Sequence, residues 1–253
     1  MTAARDAIFH GIRQALWRGR LSPDRAGELA ERVAAHRRNL VPARAATLGH
    51  RGRVELFVAM AEAVQTTVAR VDSVADIPAE VARYLAAENL PAELVAAPDP
   101  SLDAIPWETR PLLQIRRGRA EAQDAVSLTP CVAGIAETGT LMLASGPGTP
   151  STLNFLPDTH IVVLHTGQVV ASYEDGWDLL RALRHDDPPP LAGEVDRPAG
   201  GPEGADASRL LPRTVNLITG PSRTGDIEQR IQLGAHGPRR LHVVLVEDAP
   251  SPR

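Results

Sequence analysis

The chain has 253 residues, 43% of them apolar, a net charge of −4 and 27 basic residues, every one an arginine. The absence of lysine excludes a P-loop phosphate lysine, a Schiff-base lysine and a kinase-type strand lysine. An acidic balance with 3% aromatics offers neither the charge nor the stacking surfaces that nucleic-acid binding uses.

From the N-terminus, Ile8, Ile12 and Leu16 recur at helical spacing. Ser22-Pro23 then sets an N-cap before a proline at the first helical position, and Leu29 and Val33 continue that second helix. Residues 1–45 are expected to form a helical arm and 46–248 an α/β domain. Val54 to Gln65 reads as an amphipathic helix, Thr66 to Val71 as a strand and Ala79 to Ala87 as a further helix. Leu94 to Ala96 and Leu112 to Ile115 are short strand candidates. Compact apolar runs follow at Ala125–Leu128, Thr140–Ala144, Ile161–Leu164, Val215–Ile218 and Leu241–Val246. Several lack polar alternation, which favours a largely parallel sheet covered on both faces by helices. Ser172 to Arg184 carries one more helix. Residues 185–208, rich in Pro, Gly and Asp, are expected to form a mobile surface insertion.

Two glycine-bearing segments carry the candidate chemistry. In TGPSRTGDIE (Thr219 to Glu228) the strand 214–218 leads into a turn, and Ile227 to Leu233 reads as a helix ended by Gly234. A helix N-terminus with free N–H groups favours an anion. Gly220 permits close approach, Ser222 and Thr224 offer hydroxyls, and Arg223 offers a planar fork for a carboxylate. Asp226 capping that helix is the competing reading, which would leave only a turn with a surface arginine. The second segment runs from Ala133 to Gly148 and holds Glu137, Thr138, Gly139, Thr140, Ser145 and Gly146. If strands 140–144 and 215–218 are parallel neighbours, Ser145-Gly146 and Gly220-Pro221 share one edge, the edge where open α/β sheets bind ligands. Glu137 and His236 are candidates for moving a proton; a solvated turn carboxylate is the plainer account of Glu137. His160 beside a buried strand reads as a structural histidine, and Cys131 as a small hydrophobe.

No HxxxH or HExxH pair indicates a metal, no GxSxG elbow is present, and no complete GxGxxG follows a strand. One cysteine excludes an internal disulfide and an iron–sulfur cluster held by this chain unaided. No run approaches the ~18 apolar residues of a membrane span, and the opening residues lack a long apolar h-region, so a cytoplasmic location is expected.

Four motifs stand in order: IAETGTL (135–141), LPDTHIVV (156–163), ITGPSRTGDIE (218–228) and GAHGPRRLHVVLV (234–246). Together they resemble the LUD-domain family, specifically its lactate utilisation protein C group, over roughly residues 50 to 247. The resemblance implies a fold similar to the NagB/RpiA/CoA-transferase superfamily. It also implies a role in L-lactate utilisation beside a cysteine-rich and an iron–sulfur partner protein. Redox cofactors would then sit on those partners, leaving this chain a non-redox subunit with a small-carboxylate pocket. Arg223 would clamp the carboxylate, with Ser222 and Thr224 orienting it. One departure is visible: relatives often carry a basic residue soon after the SGPG-like turn, whereas Thr149-Pro150-Ser151-Thr152 has none. Two alternatives stay open. One is a stand-alone CoA-transferase-like enzyme with Glu137 as nucleophile; the other is a scaffold or regulatory protein with a vestigial pocket.

Overall fold

A computed structural model describes residues 2–17, 19, 21–186, 211–227 and 230–248; side chains at 2–3, 184–186, 224–227 and 230–233 lie outside the description. The expected insertion therefore falls, beyond residue 186, outside the described residues. The chain divides into two compact units, Met1–Leu40 and Val41–Arg253.

The smaller unit holds α1 (Thr2–Ala15) and α2 (Pro23–Ala34). Ser22 caps α2 by accepting from the Arg25 N–H, and Pro23 sits where its missing N–H costs nothing. The apolar side chains of this unit, Ile8, Ile12, Leu16 and Val33 among them, are exposed.

The larger unit opens with α3 (Ala43–Ala46), whose Ala45 is buried, and α4 (His50–Ala63). A six-stranded sheet follows, built from β1 (Thr67–Val71), β2 (Glu93–Ala96), β3 (Gln114–Arg117) and β4 (Val126–Pro130), with β7 (Thr159–His165) and β12 (Arg240–Val246) joining later in the chain. Its order is β1-β12-β7-β4-β2-β3, and every neighbouring pair is parallel. Between β1 and β2 lies α5 (Ile77–Ala87).

Apolar residues alternate between the two faces of this sheet, as a strand's period of two requires. Ile161, Val163, Val244 and Val246 pack with Val81 and Leu85 of α5. Val162, Leu164, Val243 and Leu245 pack with Phe57 and Ala61 of α4. Both faces are covered, which explains the unbroken apolar runs.

The sequence reading did not separate out a second sheet. It comprises β5 (Ala133–Ile135), β6 (Thr140–Ala144), β8 (Val169–Val170) and β9 (Val215–Ile218), in the order β8-β5-β6-β9. Leu141 and Leu143 face the α4 side of the core, while Ile135 and Met142 face Leu180 of α6 (Tyr173–Asp186). The expectation that 140–144 and 215–218 run parallel is corrected: β6 and β9 are antiparallel, with Leu141 opposite Ile218 and Ala144 opposite Val215.

The helix expected over 227–233 is corrected as well. Arg223–Ile227 and Arg230–Leu233 are strands β10 and β11, paired antiparallel. Arg-Ile-Gln-Leu fits an alternation of period two as well as a turn of helix, and four residues do not tell them apart. The unit from β9 to β12 is thus a hairpin between two sheets rather than a parallel crossover.

Candidate functional site

The hairpin removes the proposed helix N-terminus, and with it both the dipole cradle and the Asp226 cap. The loop Thr219–Arg223 nevertheless lines a cleft of about 490 Å3. Val64, Phe155 and Pro238 share the lining, and these residues precede β1, β7 and β12. The cleft therefore lies at the amino ends of the parallel strands.

Backbone hydrogen bonds place its charged groups. The Ser222 N–H donates to the Pro238 carbonyl at 2.8 Å, and the Gly234 N–H donates to the Ser222 carbonyl at 3.0 Å. The Ser222 hydroxyl accepts from the His236 N–H at 3.3 Å. Ser222 thus staples the 219–223 loop to the 234–238 loop, so that Arg223 and His236 line one cleft. Both residues are exposed, and Arg223 has no carboxylate partner among the described residues. Thr224 stands in β10, its side chain outside the description.

The segments near 140 and 220 do meet, through hydroxyls. Thr140 is fully buried, and its Oγ1 lies 2.7 Å from Thr138 Oγ1, 2.7 Å from Thr219 Oγ1 and 3.0 Å from the Tyr173 hydroxyl. Thr138 also donates to Tyr173 at 3.1 Å. Thr219 carries this junction to the cleft wall. Gly139 and Gly220 act here as packing residues. Gly139 has φ +66° and Gly220 φ +79°. A Cβ on Gly139 would overlap the Ala61 N–H, and one on Gly220 would come within 2.6 Å of the Val64 carbonyl oxygen. Each glycine lets its turn press on the carboxyl end of α4.

Other candidates are placed elsewhere. Glu137 does not line the cleft; its N–H donates to the Ala171 carbonyl, and its Oε2 is buried without a partner among the described residues. Ser145 and Gly146 do not share an edge with Gly220, because the antiparallel pairing puts them at the far end of β6 and β9. Ser145 is tied there to Thr214, donating from its N–H and accepting at its hydroxyl, both at 2.9 Å. His160 is fully buried beside Thr129, and burial pushes its pKa down to about 3, so the ring is neutral. Cys131 is buried, which pushes its thiol pKa up. Among the described residues, no group of three or more His, Cys, Asp or Glu is placed to hold a metal ion, and no helix is long and apolar enough to cross a membrane.

Sequence reasoning missed Tyr173, Phe155 and Asn154. Tyr173 carried a signal, being one of two tyrosines in the chain. Asn154, between Leu153 and Phe155, carried none.

Comparison with known proteins adds to this geometry. Residues 54–246 match the sequence model of the LUD domain. A protein of Geobacillus sp. (strain WCH70) called lactate utilization protein C is 31% identical over 114 residues, 45% of this chain and 39% of that protein. An uncharacterized protein of Neisseria meningitidis serogroup B is 31% identical over 140 residues, 55% of this chain and 46% of its own length. Lactate utilization protein C of Bacillus subtilis is 28% identical over 114 residues, covering 45% and 39%. The matched stretch spans less than half the length of each of these relatives. A crystal structure of a DUF162 family protein from Deinococcus radiodurans superposes with a TM-score of 0.53 at 24% identity, covering 79% of this chain and 99% of that one, which is a likeness of fold.

Proposed function

The chain belongs to the LUD domain family, and on that premise we propose that it is a non-redox component of an L-lactate utilisation system whose amino-end cleft takes a small carboxylate. The observation that carries the reading is electrostatic. Arg223 and His236 line the cleft, and among the described residues none that lines it is acidic. A guanidinium without a carboxylate partner among the described residues, beside a serine-braced loop, suits the planar fork of a carboxylate. The names of the relatives from Geobacillus and Bacillus supply the metabolic context.

Oxidation of lactate to pyruvate removes two electrons. The one cysteine of this chain is buried, so the electron carriers are assigned to iron–sulfur and cysteine-rich partner proteins. His236, which also lines the cleft, is the group assigned to proton transfer. Calorimetric titration with L-lactate and with pyruvate tests the pocket. Saturable binding is expected, weakened about 10- to 100-fold in Arg223→Ala, the range a charge-assisted hydrogen bond spans. No binding, or an affinity unmoved by that substitution, sinks the reading. Co-expression with the iron–sulfur and cysteine-rich proteins, followed by size-exclusion chromatography, tests the assembly.

A further inference from the structure

At the opposite edge of the parallel sheet lies a second cavity, about 440 Å3, where β2 and β4 end. Ligands of open parallel sheets bind at this carboxyl edge. The Gly146–Thr149 turn forms one side of it and is closed by its own bonds, Thr149 Oγ1 donating to the Ala144 carbonyl at 2.7 Å. The opposing walls are aliphatic, from Val132, Leu143, Leu180 and Leu183.

Two buried polar side chains face this apolar shell. Asn154 is 5% exposed, lines both this cavity and the Arg223 cleft, and has no side-chain hydrogen bond among the described residues. Its amide atoms are not sealed inside the protein, so they are open to pairing with a ligand. Thr129 is 2% exposed, and its hydroxyl lies 2.8 Å from His160 Nε2. The other ring nitrogen, Nδ1, is buried with no partner among the described residues. An orphan lone pair costs less than an orphan N–H, so the proton belongs on Nε2. His160 then donates to Thr129, and the hydroxyl hydrogen of Thr129 is free to point at a ligand.

Charge separates this cavity from the cleft. Among the described residues, Asp99 is the one charged residue lining it, and no arginine or histidine does. We propose that the cavity binds an uncharged ring compound with a carboxamide or imide edge. The Asn154 amide supplies a donor and an acceptor side by side, Thr129 supplies a donor, the aliphatic walls hold the ring, and Asp99 repels carboxylates. This site stands independently of the carboxylate reading of the Arg223 cleft.

Nicotinamide and nicotinate test it, since they match in shape and differ in charge. Chemical-shift titration of the full chain is expected to show saturable millimolar binding of nicotinamide, with nicotinate at least about fivefold weaker. Asn154→Leu and Thr129→Val should each weaken nicotinamide about fivefold or more by removing a hydrogen bond, while Arg223→Ala leaves it unchanged. Asp99→Asn, which keeps a side-chain oxygen for the Ser101 N–H it now caps, should narrow the preference over nicotinate without moving nicotinamide. That variant keeps the test open if the buried substitutions fail to fold. Equal affinity for the two probes, absence of saturable nicotinamide binding, unchanged binding in Asn154→Leu and Thr129→Val, or a preference unaltered by Asp99→Asn each overturns the proposal.

Discussion

The two edges of the parallel sheet solve opposite problems. At the amino edge, loops carry a guanidinium and an imidazole into open water, where charge has no desolvation penalty to meet. At the carboxyl edge, an amide and a hydroxyl are buried among aliphatic side chains, backed by a histidine whose pKa burial lowers to about 3, with the carboxylate of Asp99 beside them. The first edge selects by charge and holds its groups through backbone hydrogen bonds and glycine contacts. The second selects by hydrogen-bond pattern and by the negative charge of Asp99, and holds its buried groups by packing. Substitutions should therefore separate the two edges by how much stability they cost.

The largest loss is expected where the amino edge is anchored. Gly139→Ala and Gly220→Ala each force a side chain into a positive-φ backbone and onto the end of α4, against backbone atoms that have little room to move. Each should lower unfolding stability by about 2–4 kcal/mol in urea melts, adding backbone strain to overpacking. A change below about 0.5 kcal/mol, the size of an ordinary surface substitution, would show that these turns are not what positions the cleft.

The carboxyl edge should announce itself in the acid limb. Burial holds the folded-state pKa of His160 at about 3, down from an ordinary 6.5. The unfolded chain thus binds a proton that the folded chain refuses. The contribution of His160 is fully present above pH 6.5 and is lost as pH falls toward 3. Between pH 7 and 5 the loss should be about 1–2 kcal/mol, since one proton can give a slope of at most ~1.4 kcal/mol per pH unit. Glu80 does not confuse this window. Burial favours its neutral form, but hydrogen bonds from His242 and Arg83 outweigh it and hold that group at about 2. Equilibrium melts at pH 7, 6 and 5 should show the slope in the parent chain and a flatter one in His160→Gln. Equal slopes would mean that His160 is not sealed from water.

What the sequence disclosed follows the same division. Strands with both faces covered were legible as apolar runs, and the cap at Ser22-Pro23 was legible as chemistry. Strand direction was not. Thr140–Ala144 reads the same parallel or antiparallel, because Leu141 and Leu143 face one layer and Met142 another. The glycines at 139 and 220 were visible, but their cause lay in a helix end at 61–64 that no local pattern ties to them. Charged candidates were easy to nominate, since Arg223 and His236 sit in glycine-bearing loops. Asn154 was not, because its significance comes wholly from what surrounds it in space.

Thr140→Val tests the seam between the junction and the cleft. It keeps the shape of the side chain and removes the hydroxyl shared by Thr138, Thr219 and Tyr173. Those three hydroxyls can still pair in part, Thr138 with Tyr173, so a loss of about 1–2 kcal/mol is expected rather than the full cost of a stranded buried group. A double-mutant cycle with Thr219→Val should show coupling, because the two oxygens are 2.7 Å apart. Additive losses would place Thr219 outside the junction and leave the cleft wall unsupported from behind.

Arg223→Ala should do least to the fold and most to the ligand. The side chain is exposed and makes no ion pair among the described residues, so its removal should change stability by no more than about 0.5 kcal/mol. Ser222 and the 234–238 loop are joined through backbone groups and the serine hydroxyl, none of which involves the guanidinium, so the cleft keeps its form. Full stability with a lost carboxylate response is the signature of a residue placed for binding. Marked destabilisation would instead make Arg223 a structural brace of the hairpin. The electrostatic contrast between the two sheet edges would then lose its guanidinium and rest on Asp99 at the carboxyl edge.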